Sequence, residues 1–88
     1  MSYFTRVNVT IFRADGTRVE VDTSKIVGNC TFVRAVMYSA MRAAQVMRRG
    51  PPEVARVTCE GRVLQEHWTM QQCGVSGSHP VTIEIHLA

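Results

Sequence analysis

The sequence predicts an α+β domain in which one mixed sheet of four or five strands packs on one long helix, about residues 31–49. Three observations predict it. Apolar and polar residues alternate in Val7-Asn8-Val9-Thr10-Ile11, in Val19-Glu20-Val21-Asp22 and from Val81 to Leu87, which is the period of strands with one buried face. From Thr31 to Arg49 the period becomes helical. The alternating strands concentrate their apolar residues on one face, so one side of the sheet covers the helix and the other stays open.

The first two strands join through Ala14-Asp15-Gly16-Thr17, a hairpin turn by its Asp-Gly. A two-residue loop would pair Ile11 with Glu20 and put the two apolar sets on opposite faces. One further loop residue pairs Ile11 with Val19 and Val9 with Val21, so both sets share a face. The expectation is a three-residue loop closed by a bulge, with Gly16 at positive φ.

In the helical segment, Arg34, Tyr38, Arg42, Gln45 and Arg49 share one side at about 100° per residue. Val33, Val36, Met37, Ala40, Ala43, Ala44 and Met47 fall opposite. A helix of about five turns is expected, near 28 Å long. Asn29 or Thr31 would cap its start, and Gly50-Pro51-Pro52 would stop it. Beyond the prolines, Ala55-Arg56-Val57-Thr58-Cys59 reads as a strand, Glu60-Gly61-Arg62 as a turn and Val63-Leu64 as a short strand. Residues 65–79 read as irregular, anchored in the core by Trp68, Met70 and Val75.

Eighty-eight residues make one domain, since a chain of this size buries about 60–65% of its unfolded surface and supports a single core. With 45% hydrophobic and 19% charged residues it is globular rather than disordered. No run approaches a membrane span, and the start lacks the apolar stretch of a signal peptide. The three cysteines, Cys30, Cys59 and Cys73, form no Cys-x-x-Cys pair, and reduced thiols in a cytosolic or nuclear compartment are expected.

The net charge of +3 is unevenly spread. Segment 31–49 holds four arginines and no acid, while the rest of the chain sums to −1. The positive charge belongs to the helix.

The second half of the chain resembles ubiquitin. Gly50-Pro51-Pro52-Glu53 follows the helix as Gly-Ile-Pro-Pro-Asp does there. Arg56-Val57-Thr58-Cys59-Glu60-Gly61-Arg62-Val63-Leu64 matches Arg-Leu-Ile-Phe-Ala-Gly-Lys-Gln-Leu. Gly16 falls at the bulge glycine of the first hairpin. The chain is therefore similar to the ubiquitin-like family, which implies a β-grasp fold over nearly its whole length. Fold alone does not carry function.

The departures from that family bear on function. Its receptors read an apolar patch, and the matching positions are Ala14, Thr58 and Glu84, polar and partly negative. The chain ends His86-Leu87-Ala88 where a modifier carries Gly-Gly, and Arg62 and Gly77 stand where two chain-forming lysines would be. The expectation is a non-conjugated domain. A modifier precursor whose Gly-Gly lies outside this sequence, and a basic nucleic-acid-binding β-grasp module, are the alternatives.

Little else suggests chemistry. Cys59 alternates inward with Val57 and reads as a core residue, and His86 alternates outward and reads as solvated. His67, His79 and His86 show no zinc spacing. No glycine-rich loop opens a helix, and the acids are unpaired along the chain. Neither catalysis, nor a cofactor, nor a metal is expected.

The partner is expected to be a protein. Phe12 alternates to the open face beside Thr10 and Thr82. There it is a contact anchor, unless Arg13 or a terminal segment covers it. Thr58, Thr82 and Glu84 share that face. Arg34, Arg42 and Arg49, with Tyr38 among them, form a basic helix face suited to an acidic partner, or merely a solvated one. Nucleic acid is the weaker reading, because the field is shallow and no aromatic stacking platform accompanies it. Gly16 and Gly61 are structural turn residues.

Overall fold

A computed structural model describes residues 4–28, 30–46, 53–74 and 80–88 of the protein. Six elements follow in the order β1 (Phe4–Phe12), β2 (Arg18–Gly28), α1 (Val33–Ala43), β3 (Val54–Cys59), β4 (Arg62–Leu64) and β5 (Val81–Leu87). The five strands form one mixed sheet in the order β2-β1-β5-β3-β4. The central pair, β1 and β5, is parallel, and the other neighbours are antiparallel. This is the β-grasp arrangement.

The first hairpin has the register that a shared apolar face requires. Ile11 faces Val19 and Val9 faces Val21. The Arg13 N–H donates to the Thr17 carbonyl at 2.8 Å across a loop of Ala14, Asp15 and Gly16. Gly16 has φ +89°, the left-handed conformation that a residue without Cβ adopts most readily. The Thr17 N–H donates to the Asp15 carboxylate at 2.8 Å. Hydrogen bonding to Thr17 holds that carboxyl below its ordinary value.

Past Asp22, β2 runs on to Gly28, further than its alternation implies. Val9 pairs with Val21 but Val7 with Lys25. Two extra residues therefore bulge from β2 between Val21 and Lys25.

The helix departs from its expected bounds of about 31–49. It spans Val33–Ala43, and Gln45 turns to φ +61°. The Gln45 N–H donates to the Arg42 carbonyl and the Val46 N–H to that of Met41, each at 3.1 Å. This pair of bonds is a Schellman motif. The partly buried Val46 packs against the core and holds the reversal in place. The inward stripe is accordingly Val33, Val36, Met37, Ala40 and Met41. Ala43, expected inside, is exposed, and Ala44 is half-buried. Met47 and Arg49 lie outside the described residues.

The start of α1 is capped from afar. Phe32 occupies the cap position without a side-chain bond, so Thr31 does not cap the helix, and Asn29 lies outside the described residues. Instead the Val33 N–H donates to the Trp68 carbonyl at 2.8 Å and the Arg34 N–H to the Glu66 carbonyl at 2.9 Å. Two amides that a helix start leaves unpaired are thus satisfied by the 65–70 segment.

At the far edge, Cys59 pairs with Arg62 around Glu60 and Gly61, both at positive φ, the two-residue turn that suits the twist of a hairpin. The Arg62 guanidinium donates to the Cys73 carbonyl at 2.8 Å and fastens the following loop to β4. Met70 is fully buried and Trp68 packs at the margin of the core, as the sequence implies, whereas Val75 lies outside the described residues. Val7, Val9 and Ile11 of β1 and Val81, Ile83 and Ile85 of β5 pack with the α1 stripe. Cys59 is buried among them, as expected from its alternation with Val57.

Candidate functional site

Helix α1 covers one side of the sheet, and the opposite side carries the outward residues in two transverse rows. Strand register sets their composition. One row runs Glu20, Thr10, Glu84, Thr58 and Val63 across β2, β1, β5, β3 and β4. The next runs Arg18, Phe12, His86 and Arg56. An acidic, hydroxyl-bearing stripe thus lies beside a basic and aromatic one.

The second row has an ordered centre. Phe12 and His86 stack with ring centroids 4.8 Å apart and planes 5° from parallel. Both residues are half-buried. The neighbour of Phe12 is therefore His86, not Thr82, which sits opposite Asn8. His86 is likewise not simply solvated. In a parallel pair the register is set by residues far apart in the chain, so alternation alone could not place these rings together. The sequence signal for the pair was limited to the outward parity of both residues.

In the first row Glu84 lies between Thr10 and Thr58, and Val63 is 57% exposed at the end. Arg18 pairs with Glu20 at 3.8 Å and Arg34 with Glu66 at 3.7 Å. Glu84 is in neither, and Arg56 sits opposite His86 rather than opposite Glu84. A shallow polar basin lined by Asn8, Thr10, Glu20 and Thr82 adjoins the row. Ala14, the third position of the polar patch, stands apart in the exposed β1–β2 loop.

The helix residues occupy a different surface. Arg34 and Arg42 are exposed on α1, and Tyr38 between them is half-buried. Arg34 is not without an acidic neighbour, because Glu66 reaches it from the segment that caps the helix. Phe32, Arg34, Ala35, Tyr38 and His67 line a groove there of roughly 270 Å³. Phe32, which the helical periodicity does not mark, is 54% exposed. The predicted partner residues that the structure describes thus fall on two surfaces, the open sheet face and the helix.

The thiols of Cys59 and Cys73 are both pushed up from their ordinary value by burial. Cys30 is exposed. Among the described residues no three His, Cys, Asp or Glu side chains gather as metal ligands. Nor is any described helix long and apolar enough to cross a membrane.

No family model matches the chain, and no curated protein matches it either. Among solved structures it is similar to a de novo designed protein based on ubiquitin, with a TM-score of 0.57 and 19% identity. The match covers 90% of this chain and 84% of the design. The chain therefore has a ubiquitin-like β-grasp fold.

Proposed function

We propose that this ubiquitin-like domain is a protein–protein interaction module that docks its partner on the open sheet face. The observation that carries the reading is the Phe12–His86 stack set among polar residues and flanked in register by Arg18 and Arg56. Binding energy at protein interfaces concentrates in aromatic and arginine side chains ringed by groups that exclude water. The rows supply both kinds. Thr10, Thr58 and Thr82 offer hydroxyls that hydrogen-bond to a partner backbone, and they lose little rotamer freedom on binding. The acidic and basic stripes give the surface a direction, so a docked partner is oriented as well as held.

The test begins with partners recovered from lysate on the immobilised protein, identified and then purified. A genuine partner binds the purified domain saturably and is lost with Phe12→Ser. Arg34→Gln in the helix leaves that binding intact. If no purified candidate binds, or if Phe12→Ser and Glu84→Arg both leave binding unchanged, the sheet face is not the docking surface.

A further inference from the structure

We propose that the groove between α1 and the capping segment is a second docking surface, taking an acidic peptide segment that carries an aromatic or aliphatic side chain. It lies behind the sheet and does not depend on the open-face reading.

The walls of the groove explain the apolar part of the ligand. Phe32, Ala35 and Tyr38 recur every third residue along one side of α1 and its cap, the spacing of neighbours on a helix surface. The middle one is alanine, so a gap is left between two aromatic rings. The backbone of Phe32 is held by its bridge to Thr69 and by accepting the N–H groups of Ala35 and Val36. Its ring takes no part in that fixation and remains largely exposed.

Charge explains the rest. Helix α1 contains Arg34 and Arg42 and no acid. Arg34 reaches Glu66 only at 3.7 Å, with both side chains more than half exposed. Such a pair is screened by water and is readily exchanged for a partner's carboxylate. His67 adds a further donor at the groove wall. Arg34 lines the groove, and Arg42, eight residues on, lies beyond it at a rise of about 12 Å along α1. Acids three or four residues apart in an extended segment match that distance. Two arginines neutralise too few phosphates to favour nucleic acid.

The probe is a synthetic acidic octapeptide with one central phenylalanine, titrated into the isotope-labelled protein. Saturable shifts are expected at the amides of Ala35, Tyr38, Arg42 and His67, with those of Thr10 and Glu84 unmoved. Replacing the peptide phenylalanine by alanine, or combining Arg34→Gln with Arg42→Gln, should weaken binding at least tenfold. Raising salt from about 50 to about 500 mM should also weaken it. Phe32→Ser gives the same loss with the rest of the spectrum preserved, and Phe12→Ser changes nothing. Absence of saturation at millimolar peptide overturns the proposal. So does binding that survives loss of both arginines, or a single-stranded oligonucleotide that binds the groove more tightly than the peptide.

Discussion

The ring of Phe12 on β1 lies flat on the imidazole of His86 on β5, 4.8 Å between centroids. The two residues are joined only by the parallel register at the centre of the sheet. This contact joins two outward side chains into one half-buried platform.

Stacked aromatic pairs contribute about 0.5–1.5 kcal/mol beyond their buried area. Urea unfolding of Phe12→Ala, His86→Ala and the double variant should therefore show a coupling of that size. Additive losses would mean that the rings are neighbours without mutual stabilisation.

The row beside it predicts a failure to bind. Peptides that dock an apolar helix on ubiquitin would cover Glu84 between Thr10 and Thr58. A buried carboxylate without a partner costs several kcal/mol at least, roughly. Titration with such a peptide should leave the amides of Thr58, Thr82 and Glu84 in place. Thr58→Ile with Glu84→Val makes the stretch from Glu84 to Val63 apolar and should create saturable binding. Equal affinity of the natural and substituted faces would refute this account of the patch.

Gln45 ends α1 at φ +61°, where a Cβ costs about 1 kcal/mol relative to glycine. Gln45→Gly should raise stability by about 0.5–1 kcal/mol, read as a higher urea midpoint at unchanged slope. A lower midpoint would show that the side chain contributes more than the backbone conformation costs.

The thiols predict an order of reaction and a pH slope. Cys30 is exposed while Cys59 and Cys73 are buried, so mass spectrometry after brief alkylation should find Cys30 modified first and the others protected until unfolding. Burial raises both inner thiols above their ordinary value of 9.0. Unfolded thiols then lose protons first, so stability holds below that pH and declines as pH rises through it. Cys59→Ala should reduce the decline above about pH 9. An unchanged slope would place its origin in other groups.

Local periodicity and turn chemistry by themselves determined the sheet, the hairpin register, the conformation of Gly16 and the inward place of Cys59. Each follows from neighbours in the chain, because a one-residue slip would turn a whole apolar set to water. The outward parity of Phe12, Thr58, Thr82 and Glu84 was legible for the same reason. Tertiary structure decided the rest. The alanine and methionine pattern runs past Gln45, yet the helix ends there in a Schellman turn with Val46 packed against the core. Carbonyls of Trp68 and Glu66 cap its start, which no side-chain motif near Phe32 announces. The Phe12–His86 platform and the Arg34–Glu66 pair join residues from distant parts of the chain. Such contacts depend on register and on how elements dock, and these are set by the shared core rather than by any local stretch of sequence.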